Sequence, residues 1–326
     1  MARRRRGRPL NGWLVIDKPI GITSTQAMAK ARWALQAQKA GHAGTLDPLA
    51  TGVLAIAFGE ATKTVAAAQD GQKTYRFTIR LGQATATDDA EGKIVAESPE
   101  RPDDAALAAA LAPFRGDIMQ VPPIFSAVKQ DGARAYDLAR AGEIPELAPR
   151  PLHVARLELV ARPDADHAEL ELDCGKGGYV RSIARDIGRV LGCHAHVTAL
   201  RRLASGGFRI EDALPFDRLD AVREGRAEAP LLPVAAGLRG LVEIPLPPVM
   251  AAQLRVGQAV PLAPGRAAEG ETVWASCAGT PVAICKADGA RLRPARVILP
   301  DTPVAADGAA AAGDGAGQTR FPDQGE

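Results

Sequence analysis

One short stretch of the sequence combines a single acidic side chain with residues that build a defined loop. It runs from Gly41 to Leu54, with the sequence GHAGTLDPLATGVL, and its only carboxylate is Asp47. Pro48 disfavours α-helical geometry at the residue before it, and the glycines allow close backbone approach. A carboxylate held in this way could act as a nucleophile or a base. The simpler alternative is that Asp47 only caps a helix that begins at Pro48.

Regular elements on both sides are expected to hold this stretch in place. Residues 53–58 are apolar and lie between Gly52 and Gly59, a pattern typical of a buried strand. Thr23 and its neighbours offer N-caps for a helix that is predicted to continue to about Ala40. A rigid strand behind the loop would fix the direction of the Asp47 side chain.

The fourteen-residue string resembles the catalytic motif of the TruB family of tRNA pseudouridine synthases, which isomerise U55 in the T loop. Further pieces of that family's sequence occur in the family's order between about Asn11 and Phe208. They are Asp17-Lys18-Pro19, Lys73-Thr74-Tyr75-Arg76, Lys176-Gly177-Gly178-Tyr179-Val180-Arg181 and Leu200-Arg201-Arg202. Several separated motifs in the correct order make the resemblance specific.

The resemblance implies roles for individual residues. Asp47 would be the essential catalytic carboxylate, Arg181 its ion-pair partner, and Tyr75 a catalytic residue whose ring also stacks on the target base. The other substrate-binding candidates are His42, Tyr179, Leu200, Lys18 and Lys176. Gly178 stands where many relatives have threonine, which puts any hydroxyl-dependent contact at that position in doubt.

Residue patterns alone leave simpler roles open for two of these side chains. Tyr75 begins the apolar face of a strand predicted over residues 74–81, so it could be a core aromatic with its hydroxyl at the rim. Arg181 and Arg185 share one face of a predicted helix, and an arginine there is usually at the surface. In both alternatives the side chain has a structural role and no part in catalysis.

The implied reaction sets modest chemical requirements. Pseudouridylation cleaves the N-glycosidic bond of a uridine within RNA, turns the base and joins C5 to C1′, so we predict no cofactor and no metal. The carboxylate could attack C1′, add to C6 of the base or deprotonate the sugar, and the sequence does not distinguish these steps. A nearby acidic loop, with Asp88, Asp89 and Glu91, lacks metal-ligand spacing and is interpreted as a solvated turn.

Two other functions are compatible with parts of the sequence. A pure RNA-binding protein, which the C-terminal half could support, would not need Asp47. A hydrolytic glycosidase usually uses two cooperating carboxylates, and no second acid accompanies Asp47 in its motif. The enzyme that isomerises uridine is the stronger interpretation.

Composition is that of a soluble protein long enough for two domains. The 326 residues are 46% hydrophobic and 24% charged. The four cysteines lack C-x-x-C spacing and follow no secretory signal, so we predict neither a zinc site nor disulfides, and a reducing cytoplasm as the compartment. No run of about 18 apolar residues occurs, so no membrane-spanning helix is predicted.

Charge is unevenly distributed although the net charge is only +2. Residues 1–40 carry nine Lys or Arg against Asp17 alone. Such an arm suits contact with phosphates, because bound Lys and Arg displace counterions from nucleic acid, whereas a solvated disordered leader is the alternative. The expected partner is the T arm of tRNA, bound by a monomer.

We predict an α+β fold, because strands and helices follow one another without the regular alternation of a doubly wound sheet. The resemblance implies the pseudouridine synthase fold, a mixed, mainly antiparallel bent sheet with a central cleft, and a small PUA-like β-barrel after it. The predicted divisions are a basic disordered arm (1–10), a catalytic domain (11–244) with an RNA-gripping insertion (119–150), a PUA-like RNA-binding domain (249–300) and a disordered tail (301–326). The alternative for the insertion is a polar surface loop.

Overall fold

The computed structural model describes residues 7–126, 128–130, 133–134 and 146–300. The strands in chain order are β1 (Gly12–Lys18), β2 (Ala40–Ala43), β3 (Ala50–Phe58), β4 (Lys73–Leu81), β5 (Gln83–Thr85), β6 (Ile94–Glu97), β7 (Gly116–Gln120), β8 (Lys129–Gln130), β9 (Ala133–Arg134), β10 (Arg150–Ala161), β11 (His167–Cys174), β12 (Ala195–Ser205), β13 (Phe208–Arg209), β14 (Leu214–Pro215), β15 (Glu243–Pro245), β16 (Val260–Pro261), β17 (Thr272–Cys277), β18 (Thr280–Asp288) and β19 (Arg291–Val297). The α-helices are α1 (Ser24–Ala34), α2 (Val65–Asp70), α3 (Asp104–Ala110), α4 (Val180–Val190), α5 (Arg218–Arg223) and α6 (Pro248–Arg255). Short 3-10 helices lie at Gly59–Thr64, Ala112–Phe114, Ile210–Asp212 and Val234–Leu238.

Ten strands form one large mixed sheet. Its order is β14-β1-β3-β12-β4-β11-β10-β7, with β2 added to β3 and β13 to β12. The pairs β1–β14 and β3–β12 are parallel, and the other pairs in this sheet are antiparallel. The predicted α+β class with a mixed, mainly antiparallel sheet is therefore confirmed.

Strand β4 lies near the middle of this sheet and follows its sequence pattern. Its buried side chains alternate with more exposed ones, and they are Tyr75, Phe77, Ile79 and Leu81 together with Lys73 at its start. Helix α4 places Ile183 and Ile187 in the same core cluster as Phe77. Burial of one face of a strand against one face of a helix fixes both elements.

The first helix is shorter than its sequence pattern indicates. Helix α1 ends at Ala34, and Gln36 takes a positive φ of 53°, which turns the chain. Residues 40–43 then form β2, an antiparallel neighbour of β3, so the prediction of a helix to about Ala40 was wrong. Tertiary pairing overrides the helical propensity here, and it places His42 on a strand.

Strand β12 was not predicted, yet it joins the two halves of the large sheet. It runs parallel to β3 at Leu200 to Arg202 and antiparallel to β4 along most of its length. Its register shifts between Val197 and Ala199 and again between Arg202 and Ala204. Each bulge breaks the period-two alternation of buried and exposed side chains that a sequence pattern depends on.

A second sheet is built from the C-terminal part of the chain. Its order is β15-β17-β18-β19-β16, and it forms the small C-terminal β unit that the sequence predicted, as a curled half-barrel. It includes Glu243–Pro245, which lies before the predicted start at 249. The unit contacts the region of the large sheet through Lys63, which donates to the carbonyl of Val297 at 2.8 Å.

Several predicted segments fall outside the described residues, in whole or in part. They are residues 1–6 of the basic arm, the tail at 301–326, and most of the basic segment at 132–142 within the predicted insertion. Strands β8 and β9 of that insertion pair with each other. In the part of the chain that is described, no helix is long and apolar enough to cross a membrane.

Candidate active site

A cavity of about 980 Å³ gathers most of the residues that the sequence selected. Six of the eight predicted site residues line it, and they are Asp47, Tyr75, Lys176, Tyr179, Arg181 and Leu200. These side chains come from four separate motifs and are brought together by the large sheet and helix α4. The other two, Lys18 and His42, lie close to the Asp47 loop but not in the cavity wall.

Backbone contacts fix the loop on both sides of Asp47. The hydroxyl of Ser24 accepts from the Leu46 N–H at 2.8 Å and donates to the Leu46 carbonyl at 3.0 Å. The N–H of Gly21 donates to the carbonyl of Pro48 at 2.9 Å. No helix begins at Pro48 and β3 starts two residues later, so the capping role for Asp47 is excluded.

Arg181 lies against Asp47 and is held from several directions. Its Nη2 lies 2.8 Å from Oδ2 of Asp47, and its Nη1 lies 3.5 Å from Oδ2 of Asp89. The guanidinium also donates to the carbonyls of Thr87 at 3.2 Å and Phe125 at 3.0 Å. With a side chain only 7% exposed, Arg181 is not the surface arginine that its pattern alone allowed.

The acidic loop is not a solvated turn, and that interpretation was wrong. Asp89 is 3% exposed and faces Arg181, while Oδ2 of Asp88 lies 3.1 Å from Nη1 of Arg185. Burial raises the pKa of Asp88, and Arg185 beside it acts in the opposite direction. The sequence did contain a hint of these ion pairs, since two adjacent acids are matched by two arginines one helical turn apart. Only the folded chain brings the acids and the arginines together.

Two tyrosines and a leucine form much of the apolar wall. Tyr75 and Leu200 are each 8% exposed, so Tyr75 is both a core aromatic and a wall residue. Burial raises the pKa of Tyr75 and of Tyr179, which keeps both phenols protonated near neutral pH. The backbone of Tyr179 is fixed by the Gln120 amide, which accepts from its N–H at 2.9 Å and donates to its carbonyl at 3.1 Å.

Lys18 lies against the Asp47 loop and contacts its backbone, while its role in binding substrate stays a prediction. Its side chain is fully buried, and its Nζ donates to three backbone carbonyls, those of Pro19 at 2.8 Å, Ile22 at 2.7 Å and Pro48 at 3.4 Å. Burial lowers the pKa of Lys18 to about 8. A direct contact with substrate would require these carbonyls to be released.

Lys176 lines the cavity, whereas His42 lies outside its wall. His42 lies on β2, burial lowers its pKa, and its Nδ1 has no hydrogen-bond partner among the residues that the structure describes. Lys176 lines the cavity, and its Nζ lies 2.6 Å from Oδ1 of the exposed Asp70. Within the described ranges, no group of three or more His, Cys, Asp or Glu side chains could hold a metal ion.

Gly178 fits its surroundings because it has no side chain. A Cβ at this position would lie 2.6 Å from Sγ of Cys174 and 3.3 Å from Cδ1 of Leu152. A threonine would therefore collide with the buried end of β11. The structure thus gives a steric reason for the departure from the family pattern at this residue.

Comparison with known sequences decides the family. The profile described as TruB family pseudouridylate synthase (N terminal domain) matches residues 32–180, and the tRNA pseudouridylate synthase B C-terminal domain matches 181–239. This chain belongs to the TruB family. It is therefore a pseudouridylate synthase, and the resemblance inferred from the motifs is confirmed.

Relatives within the TruB family are similar over nearly their whole length. Proteins named tRNA pseudouridine synthase B from Cereibacter sphaeroides and Dinoroseobacter shibae are 57% and 55% identical over 301 and 299 residues. These matches cover 91% of this chain and 99% and 98% of the relatives.

Solved structures support the fold of the TruB chain. A Cbf5-Nop10-Gar1 complex matches with a TM-score of 0.70 at 24% identity, over 89% of this chain and 85% of that one. An H/ACA RNP bound to a substrate RNA containing 2'-deoxyuridine matches with a TM-score of 0.69 at 21% identity, over 92% of both chains.

Proposed function

We propose that this protein converts uridine to pseudouridine at position 55 in the T loop of tRNA, with Asp47 as the essential carboxylate. The names of the relatives support tRNA as the substrate class. The observation that carries the proposal is the Asp47–Arg181 ion pair, 2.8 Å long, in the wall of a cavity of about 980 Å³. A volume of this size accommodates a nucleoside with room for the base to turn.

The target base has to leave the stack of the T loop before it can react. Extrusion costs on the order of a few kcal/mol, which contacts in the pocket must offset. Tyr75 supplies an aromatic face in the cavity wall, Tyr179 supplies a second ring, and Leu200 supplies an apolar contact. Lys176 at the same wall carries a positive charge toward the RNA, while His42 on β2 would help to hold the neighbouring loop nucleotides open.

Asp47 combines partial exposure with a fixed counter-ion. Its side chain is 39% exposed, so a substrate can reach the carboxylate, whereas Arg181 is buried behind it. A charge-assisted pair of this kind favours the ionised carboxylate in a partly dry site. The carboxylate can then attack C1′, add to C6 or remove a proton from the sugar.

The bond changes balance without any outside reactant. The C1′–N1 bond breaks, a C1′–C5 bond forms, the proton on C5 leaves and N1 gains a proton. We assign removal of the C5 proton to the Tyr75 hydroxyl, because Phe would provide stacking alone. The phenol is protonated near neutral pH, so it acts as a relay that gives its own proton to solvent as it takes the proton from C5. No oxidant, reductant or phosphate donor enters this scheme.

Further contacts with the T arm are assigned to basic groups away from the cavity. Arg291, Arg293 and Arg296 lie on the C-terminal sheet, which we propose is a PUA-like RNA-binding domain over about 249–300. The insertion at 119–150 contributes Lys129 and Arg134. We also propose that the protein is a cytoplasmic monomer that needs no cofactor.

Hydrolysis of the glycosidic bond is the competing reaction, because a second carboxylate, that of Asp89, pairs with the other terminal nitrogen of Arg181 from the one beside Asp47. The carboxylate of Asp89 is only 4% exposed, pairs with Arg181 and accepts the N–H of Glu91 at 3.1 Å. A general base that activates water needs an oxygen that water can reach, and the oxygens of Asp89 are almost fully buried. The geometry therefore favours isomerisation with one reactive carboxylate.

The test uses purified protein, an unmodified tRNA transcript and position-specific mapping of pseudouridine. We expect one modified position, U55, and no modification of a matched transcript with cytidine there. Binding without conversion would identify a pure RNA-binding protein. Release of free uracil would identify a glycosidase.

A further inference from the structure

Arg202 is a buried cation beside the candidate active site that the scheme above does not use. The residue is 1% exposed and lines the same cavity as Asp47. In the described part of the chain, no carboxylate lies within ion-pair distance of its guanidinium. Burying a charge without a counter-ion is costly, so its contacts need to be accounted for.

The guanidinium of Arg202 is tied to the backbone of the Asp47 loop. Its Nη2 donates to the carbonyl of Gly44 at 2.9 Å, and its Nε donates to the carbonyl of Val53 at 2.8 Å. A Cβ on Gly44 would lie 3.3 Å from Nη1, and one on Gly52 would lie 2.2 Å from the Arg202 carbonyl oxygen. Gly44 thus leaves room for the guanidinium of Arg202, and Gly52 leaves room for its backbone, at two positions that flank Asp47 in the sequence.

The same side chain neighbours Tyr75. Arg202 and Tyr75 are directly opposed across the antiparallel pair β12–β4, so their side chains share one face of the sheet, and both line the cavity. Burial raises the pKa of the Tyr75 hydroxyl, Arg202 lowers it, and Cys174 and Asp47 raise it. Among the described residues that act most strongly on this hydroxyl, Arg202 is the cation.

We propose that Arg202 is a positioning residue that holds the Asp47 loop and the Tyr75 hydroxyl in one fixed relation, with a positive charge beside that hydroxyl. The link to the loop runs through the Gly44 carbonyl, three residues before Asp47. The link to Tyr75 runs across the β12–β4 pair. The catalytic consequence rests on the proposed function, whereas the link to Tyr75 is a property of the protein alone.

The link to Tyr75 can be measured without any reaction. The chain has three tyrosines, so biosynthetic replacement by 3,5-difluorotyrosine, whose phenol ionises nearer neutrality, gives three ¹⁹F signals. Tyr75→Phe identifies the signal of position 75. We expect Arg202→Met to raise the titration midpoint of that signal by about one unit, a tenfold change in proton affinity. Tyr179, on which Arg150 and Arg181 act instead, should keep its midpoint.

The catalytic consequence is measured in parallel by single-turnover kinetics at saturating tRNA. Arg202→Lys keeps the charge but cannot reproduce both carbonyl contacts, and we expect the rate to fall about tenfold, while the Kd for tRNA stays within about threefold. Arg201→Lys is the matched control, because Arg201 is 40% exposed and pairs with Asp17 at 2.7 Å. This control should retain the rate.

The outcomes separate the proposal from a purely structural role. An unchanged midpoint at position 75 in both Arg202 variants would overturn it, as would a rate loss fully explained by weaker RNA binding. If Arg202→Met fails to fold by circular dichroism, the Arg202→Lys titration decides, with a smaller upward shift expected. If the parent protein forms no pseudouridine, the proposed function fails while the titration still reports on the Arg202–Tyr75 link.

Discussion

The carboxylate of Asp47 and the guanidinium of Arg181 form an ion pair of unequal exposure. Their closest atoms are 2.8 Å apart, yet the Asp47 side chain is 39% exposed and that of Arg181 only 7%. Arg181 is also fixed by the carbonyls of Thr87 and Phe125 and by Asp89. The pair therefore presents an accessible carboxylate beside a buried cation that four groups hold in place.

Asp47→Asn should abolish pseudouridine formation, because the amide keeps the shape of the side chain but removes its negative charge. The Kd for tRNA should stay within about tenfold of the parent value, or about 1.4 kcal/mol. Position-specific mapping and filter binding give the two measurements. Asp220→Asn, which removes a surface carboxylate paired with Lys30, is the control and should remain active. Normal turnover by Asp47→Asn would exclude the carboxylate mechanism.

Asp89→Asn should lower kcat by about tenfold or more while tRNA affinity is unchanged, because Arg181 loses one of its two carboxylates and its position with it. Asp88→Asn is the matched control. It breaks the neighbouring loop–helix pair with Arg185 at 3.1 Å but leaves Arg181 untouched. Equal losses in both variants would mean that Asp89 only docks the loop.

Substitutions at Tyr75 separate its ring from its hydroxyl. Tyr75→Leu should lose roughly 1–3 kcal/mol of RNA binding, the worth of one base–aromatic contact. Tyr75→Phe should bind normally, cleave the glycosidic bond and stall before product, because the hydroxyl is assigned to loss of the C5 proton. A trapped RNA adduct at Asp47, detected by mass spectrometry, would support this role together with a first step in which Asp47 bonds to C1′ or C6. Unaltered product formation by Tyr75→Phe would eliminate the hydroxyl role.

Gly178→Ala should destabilise the protein by about 1–3 kcal/mol, because the added Cβ overpacks against Cys174 Sγ at 2.6 Å. Adding Cys174→Ala should restore most of that loss in a denaturant titration, together with activity. Gly175→Ala is the matched control, since its Cβ would meet its nearest atom at an ordinary 3.7 Å. A double variant as unstable as Gly178→Ala alone would show that Cys174 is not the cause.

Lys18 should make stability depend on pH in a defined window. Its pKa is lowered from 10.5 to about 8 in the folded protein, chiefly by burial. Between these values the unfolded chain binds more protons, so this group's contribution to stability rises with pH from about 8 to 10.5 and is lost as pH falls through 8. As pH rises from about 8 to 10.5, the unfolding free energy of the parent protein should therefore increase relative to that of Lys18→Met. A constant difference between the two proteins would contradict the burial of a charged Lys18.

The sequence by itself determined the family, the candidate carboxylate and the strands whose side chains alternate cleanly. Asp47 stands out because small residues, a proline and an apolar strand surround it within fourteen positions, and these are local features. Strand β4 was predicted for the same reason, since its period-two alternation is unbroken. Structure that depends on residues close together in the chain can be predicted from the sequence, because the order of those residues determines it.

Only the tertiary structure decided which distant residues serve the site. Asp89 and Arg202 became visible because loop and strand packing bring them to Arg181 and to Gly44, 92 and 158 residues away along the chain. The three backbone carbonyls that accept from Nζ of Lys18 were also not evident from the sequence. Strand β12 escaped prediction because its bulges break the alternation. Long-range pairing and desolvation depend on the folded arrangement, and no local pattern records them.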